Sequence, residues 1–406
     1  MKTKPESVGM SSKQLARIDK FLAERYVDAG LLPCALLQVA RGGKLVHNSV
    51  LGKASLESGR ALAEDSIVRI YSMTKPLTSI AFMMLVEEGK VALDDPVHRF
   101  IPGWQNLRVY VAGIAGAFQT RALDAPMRMI DLLRHTSGLT YDFQFRSNVD
   151  AAYRAGGVNL TDGKLSLQEF IDALGKLPLE FSPGKAWNYS VSTDVLGYLI
   201  EKISGQPFEQ FLRKRILDPL GMVDTGFHVP ANKAKRLATC YTRSAQGKLA
   251  PIDDRNYLKP PKGPSGGGGL VSTAADYMRF CEALRCGGTL GSARLVGPKT
   301  LHLMRSNHLP DGRSLAEASI SMFHEVNYKG VGFGLGFAMT THVASTQVAG
   351  SVGEYFWGGL ASTAFWVDPV EDICVVFLTQ FRPSSTYPIR AQLRSMINAA
   401  VIESKV

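Results

Sequence analysis

The sequence predicts an α+β protein: an antiparallel sheet, assembled from strands near both ends of the chain and flanked by helices, is interrupted by a mainly helical lobe. Three observations carry this expectation. A hairpin signal lies early in the chain, where residues 35–40 and 44–47 flank Arg41-Gly42-Gly43. Strand-like runs recur late, at residues 362–367 and 373–380. Between them, helical spacing dominates, as in Leu167, Phe170, Ile171 and Leu174, then Val195, Leu196, Leu199, Ile200 and Ile203, then Phe208, Phe211, Leu212 and Ile216. The expected division is a sheet domain from residues 1–94 and 250–406, with residues 95–249 as the helical insertion.

Taken in order, an amphipathic helix starts at Ser12, with Leu15, Ile18, Phe21 and Leu22 on one side. After the hairpin, residues 66–71 read as a short strand and lead into an apolar helix that stops at Gly89. The helical lobe begins near Leu93-Asp94-Asp95-Pro96. The glycine run Gly266-Gly267-Gly268-Gly269 reads as close backbone packing at a turn before a helix that Thr273 caps. A final helix covers about residues 388–402.

The 406 residues are 45% hydrophobic and 20% charged, as in an ordinary globular protein. The net charge of +10 comes from scattered Lys and Arg, which fits solubility rather than nucleic-acid binding. No membrane-spanning helix is expected, because the apolar run by the first motif falls far short of the ~20 residues a bilayer needs. The first residues lack the apolar core of a secretory signal, so a cytoplasmic protein is expected. Five irregularly spaced cysteines fit reduced thiols. Cys281 and Cys286 are not spaced as a metal pair, His324-Glu325 lacks the second histidine of a zinc-protease helix, and the glycine run lacks the ending of a nucleotide loop. No metal or cofactor is expected, and nothing specifies an oligomeric state.

Ser72-Met73-Thr74-Lys75 sets a hydroxyl and an amine one helical turn apart. Side chains at i and i+3 share a face, so Lys75 can reach back to Ser72 and take its proton, provided its surroundings lower its pKa. A second copy, Ser182-Pro183-Gly184-Lys185, has a turn at its centre and would not align the pair. Tyr189, in Trp187-Asn188-Tyr189-Ser190-Val191, can relay a proton to a leaving group or pack as a core tyrosine. Ser265, in Gly263-Pro264-Ser265-Gly266-Gly267, matches a nucleophile elbow but lacks its flanking strand and helix. Aromatics in Tyr141-Asp142-Phe143-Gln144-Phe145 and Met322-Phe323-His324 fit an apolar acyl or alcohol pocket and fit packing between lobes equally well.

In order and approximate spacing, Ser72-Met73-Thr74-Lys75, Asp131 to Leu139, Tyr189-Ser190-Val191 and Gly267 to Thr273 resemble the serine β-lactamase and penicillin-binding-protein superfamily. The likeness runs from about Ser7 to the final helix. It is strongest to the class C-related esterase branch, the family VIII carboxylesterases, which also contains polyketide acyltransferases. It implies a β-lactamase/transpeptidase-like fold and a small-molecule ester substrate of short-to-medium acyl length. It further implies an acyl-enzyme on Ser72, with Lys75 or Tyr189 as base, and an oxyanion hole at the Ser72 and Leu360 amides. Trp357 would form an apolar wall, Gly358 and Gly359 would let backbone approach the acyl group, and His135 would be structural. Two departures matter. Val191 replaces an asparagine, and Trp357-Gly358-Gly359 replaces a Lys-Thr-Gly triplet whose lysine holds an antibiotic's carboxylate. Esters are therefore expected over β-lactams, with acyl transfer to an alcohol and weak β-lactamase activity as alternatives. A non-enzymatic scaffold is disfavoured because Ser72, Lys75 and Tyr189 are all kept.

Overall fold

The computed structural model describes residues 3–252, 255–321 and 328–405. Met322-Phe323-His324 and Glu325 lie outside the described residues. The first helix, α1 (Ser12–Leu22), is capped by Ser11, whose hydroxyl accepts from Gln14 N, and it buries Leu15, Ile18 and Leu22. Strands β1 (Cys34–Arg41) and β2 (Lys44–Gly52) form the expected hairpin. Gly42 and Gly43 both have positive φ, 57° and 74°, as a two-residue hairpin turn of matching twist requires.

The chain then crosses into α2 (Thr74–Glu87). Where residues 66–71 were expected to be a strand, only Val68–Arg69 is one, paired with Val271–Ser272. Ile70 leaves the strand, and Tyr71–Met73 turns as a 3-10 helix. The region expected to be helical includes α3 (Met129–Leu133), α4 (Asn148–Ala155), α5 (Leu167–Leu174) and α6 (Ser192–Ser204). It also holds a β-ribbon that the helical reading did not contain, β3 (Arg108–Ala112) paired with β4 (Gln119–Ala122). Alternation there is masked by a run of Ala and Gly, which carry no strand signal.

After α7 (Ala274–Arg285), the sheet resumes with β5 (Val331–Phe333), β6 (Ala338–Thr340), β7 (Tyr355–Gly358), β8 (Ala364–Asp368) and β9 (Ile373–Leu378). The order is β5-β6-β7-β8-β9-β1-β2, antiparallel throughout, so the late strands meet the early ones at the β9–β1 pair, with Val39 opposite Val375. The last helix, α8 (Ile389–Asn398), covers one face, where the Arg394 guanidinium lies 4.5 Å from the Phe356 ring centre. On the other face Tyr277 of α7 packs 5.1 Å from Phe365. With helices on both faces, every residue of β1 is buried, which erases the half-buried alternation usual for an antiparallel strand. One continuous apolar cluster runs from Met10 through the helical region to Ala400.

Candidate active site

Tyr71 sits in the left-handed region at φ 41°, a conformation uncommon outside glycine, and swings Ser72 off the end of the short strand. The turn is pinned from several sides. Ile70 N donates to Leu270 O, Tyr277 Oη to Met73 O, and Leu270 N to Thr74 Oγ1. Ser72 is 8% exposed and opens onto a cavity of about 460 Å³ that Tyr71, Tyr141, Asp142, Phe143, Gly267 and Leu360 also line.

Lys75, in the first turn of α2, is buried. Its Nζ lies 3.3 Å from Ser72 Oγ, 2.8 Å from Tyr141 Oη and 2.7 Å from Gly267 O. Tyr189 Oη donates to Ser72 Oγ over 2.6 Å, and the Lys75 amine lies 4.5 Å from the centre of the Tyr189 ring. The structure therefore gathers Ser72, Lys75 and Tyr189 around one hydroxyl. Tyr189 is held by its backbone, whose N–H donates to Ser321 Oγ and whose carbonyl accepts from Gln144 Nε2. Its ring is packed among Trp187, His135, Trp357 and Tyr141.

Two residues that the motif reading passed over complete the cluster. Tyr141 is the second phenol, on the lysine rather than on the serine. Asp194 is fully buried at the start of α6 and accepts from Ser265 Oγ at 2.6 Å and Gly267 N at 3.0 Å. Burial pushes its carboxyl pKa up, against the pull of the Lys75 charge. Asp194 thus anchors the glycine turn whose carbonyl holds Lys75. A Cβ on Gly267 would lie 2.5 Å from Asp194 Oδ2 and 2.9 Å from Tyr141 Oη, so any side chain there must push one of these groups aside. Tyr141 had an aromatic-loop signal and Asp194 a helix-start signal, and neither distinguishes chemistry from packing.

The rival nucleophiles are committed elsewhere. Ser265 is buried with its hydroxyl on Asp194. Ser182 Oγ accepts from Asp124 N, and the exposed Lys185 faces Asp124 instead. His135 is buried at φ 57°, with Nδ1 3.2 Å from Ser190 Oγ. Burial, helped by the Lys75 charge, depresses its pKa well below the usual imidazole value. The unfolded imidazole takes a proton below about pH 6.5 and the native ring does not, so the unfolded state binds more protons there. Stability should fall with decreasing pH through that range, by up to about 1.4 kcal/mol per pH unit. Urea unfolding at about pH 7 and about pH 5.5 should show a smaller fall in His135→Asn, since asparagine tolerates the left-handed backbone.

Several expected substrate contacts are placed differently. Trp357 is 1% exposed and packs tilted against Tyr189 and edge-on to Phe333 at 5.5 and 5.3 Å; it does not line the cavity at Ser72, because the alternation of β7 aims its ring into the aromatic cluster. Val191 is buried at the cap of α6, donating to Thr140 O, and is likewise off the cavity wall. Gly358 and Gly359 are both approached closely by protein atoms. A Cβ on Gly358 would meet the Arg390 guanidinium at 2.4 Å, and one on Gly359 would meet Ile70 O at 2.2 Å. Arg390 Nη2 in turn donates to Gly359 O and Thr363 O. Leu360 does line the cavity, and among the described residues no backbone carbonyl takes up its N–H. Of the aromatic loop, Tyr141 and Phe143 line the cavity, while Phe145 is 75% exposed. A second cavity of about 340 Å³, between the sheet and α8, is lined by Phe356, Trp366, Tyr387 and Ala391 and contains neither Ser72 nor Lys75.

The Gly359 contact gives a test. Gly359→Ala must displace either β7 or the Ile70 carbonyl two residues before Ser72, so kcat on p-nitrophenyl butyrate should drop at least about ten-fold. An unchanged kcat would show that the two segments are not rigidly coupled.

No helix among the described residues is long and apolar enough to cross a membrane. Among the described residues no cluster of three or more His, Cys, Asp or Glu is placed to hold a metal ion. The beta-lactamase family profile matches residues 21–395. Protein Rv1367c of Mycobacterium tuberculosis is 34% identical over 360 residues, 88% of each chain. Esterase EstB of Burkholderia gladioli is 30% identical over 397 residues, covering 92% of this chain and 91% of its own. The solved structure of EstCE1, described as a hydrolase with promiscuous acyltransferase activity, matches with a TM-score of 0.79 over 95% of this chain and 99% of its own, at 26% identity. With a match that spans nearly the whole chain, and an antiparallel sheet closed by its two ends, this protein belongs to the beta-lactamase family.

Proposed function

We propose that the protein is a serine esterase that hydrolyses small acyl esters through a covalent acyl-enzyme on Ser72. The observation that carries this reading is the placement of Ser72 Oγ at a cavity wall, 2.6 Å from Tyr189 Oη and 3.3 Å from Lys75 Nζ. Ser72 attacks the ester carbonyl while its proton passes to the Lys75–Tyr189 pair. The Ser72 and Leu360 N–H groups stabilise the oxyanion, and Tyr189 delivers the proton to the departing alcohol. Water then adds to the acyl carbon, its proton returns to the pair, and the acid leaves with Ser72 regenerated.

The similarity to EstB and to EstCE1 supports an ester substrate, and the latter's acyltransferase side-activity keeps transfer to an alcohol as a second reading. Trp357 in place of a lysine argues for slow nitrocefin turnover. The test is labelling with a p-nitrophenyl phosphonate followed by peptide mass spectrometry. The adduct is expected on Ser72, and an adduct on Ser265 would sink the mechanism. Product partition with added alcohols separates the two readings, free acid throughout counting against transfer.

A further inference from the structure

The β3–β4 ribbon ends in an apolar tip that no part of the proposed chemistry uses. Residues 111–118 read Val-Ala-Gly-Ile-Ala-Gly-Ala-Phe, without one polar side chain. Val111 is 56% exposed and Ile114 65% exposed, three positions apart on the same tip. The tip is tied to the helix that follows the cavity-lining segment. Asn148, at the first turn of α4, donates from Nδ2 to Gly113 O at 2.9 Å and to Tyr110 Oη at 3.0 Å. Three residues before Asn148 stands Phe145, 75% exposed, at the end of the segment whose Tyr141, Asp142 and Phe143 line the cavity.

We propose that the ribbon tip and Phe145 form a docking surface for an anionic lipid surface, which places the cavity mouth against esters held there. Three features favour a lipid surface over a protein partner. The tip carries none of the Trp, Tyr or Arg anchors on which protein interfaces depend. Two carbonyls of the turn are internally bonded, Gly113 O by Tyr110 Oη and Asn148 Nδ2 and Ile114 O by Ala117 N, which lowers the cost of seating the turn at the edge of the hydrocarbon. Cations stand at the base of the ribbon, at headgroup level. Arg108 and Arg121 bracket the tip, both exposed; Arg121 is paired with Asp124 at 2.7 Å, while Arg108 has no carboxylate within 4 Å among the described residues and is the cation left to meet a headgroup. The chain's net charge of +10 adds the long-range attraction.

Co-sedimentation with vesicles tests this without turnover, so its failure is separate from failure of the esterase reading. Wild-type protein should sediment with phosphatidylcholine vesicles containing about 30% phosphatidylglycerol and much less with phosphatidylcholine alone. The double variant V111D/I114D should lose binding at least about five-fold while keeping wild-type turnover of soluble p-nitrophenyl acetate, which also certifies its fold. Absence of wild-type binding to either vesicle, or equal binding by the variant, overturns the proposal. A wild-type dimer that the variant abolishes, with no vesicle binding, overturns it in favour of self-association.

Discussion

Ser72→Ala should lose turnover of p-nitrophenyl acetate and butyrate by at least about 10⁴-fold in kcat, with its urea midpoint nearly unchanged. The size follows from the chemistry: the acyl group has no other atom to bond to, and Ser72 Oγ is the atom on which Tyr189 converges and within reach of the Lys75 amine. The stability expectation follows from packing. The hydroxyl is small and sits at a cavity wall, so its removal opens no apolar void. Lys75→Ala should lose about as much activity, and the double variant little more, because the residues act as a unit. A Ser72→Ala protein with wild-type rates would place the nucleophile elsewhere and end the acyl-enzyme reading.

The largest stability effect is expected far from that cavity, at Arg41→Ala. Arg41, at the end of β1, is 1% exposed and uses all of its donor nitrogens. Nε donates to Glu371 O, Nη1 to Val8 O and Gly9 O, and Nη2 to Glu371 Oε2 at 2.6 Å and Glu403 O at 2.7 Å. One guanidinium therefore ties the segment before α1 and the segment after α8 to the end of β1. Removing it leaves the Glu371 carboxylate, itself 6% exposed, without its counter-charge and held, among the described residues, only by Ser404 Oγ and Lys405 N, and takes a donor from four carbonyls, of which Gly9 O keeps Ile402 N and Glu403 N. The expected loss is about 3–5 kcal/mol, or a melting midpoint lower by roughly 4–6 °C. R41M/E371M should recover much of it, because the stranded charge goes with its partner. A loss in R41A below about 1 kcal/mol would mean that the termini are held without the guanidinium. Turnover per folded molecule should not change in either variant.

The helices were legible because each buries one stripe against a common core, and that stripe repeats along the chain. Leu15, Ile18 and Leu22 of α1 and Phe170, Ile171 and Leu174 of α5 were found this way. The β1–β2 hairpin was legible because two glycines in sequence are the residues its turn demands. The β3–β4 ribbon was not, since small residues at its tip silence the alternation. Residues 66–71 misled for a related reason: their apolar run is needed for burial, while Tyr71 is forced to positive φ by contacts from Leu270 and Tyr277 that no local sequence records.

At the candidate site, spacing along the chain determined one pair. Ser72 and Lys75 lie one turn apart, and local geometry brings them within reach whatever surrounds them. The order of the other motifs added Tyr189 and the chain's family. Everything across the cavity was decided by the tertiary structure. Tyr141 reaches Lys75 from 66 residues away and Gly267 from 192, with Asp194 bracing the turn that carries Gly267. The same packing turned Trp357 and Gly359 from expected substrate contacts into supports for Tyr189 and Ile70. A sequence states which groups a chain owns and which neighbours share a helical face. Which distant groups meet depends on how sheet and helices close around one core, where a Cβ on Gly359 would come within 2.2 Å of Ile70 O and glycine alone fits.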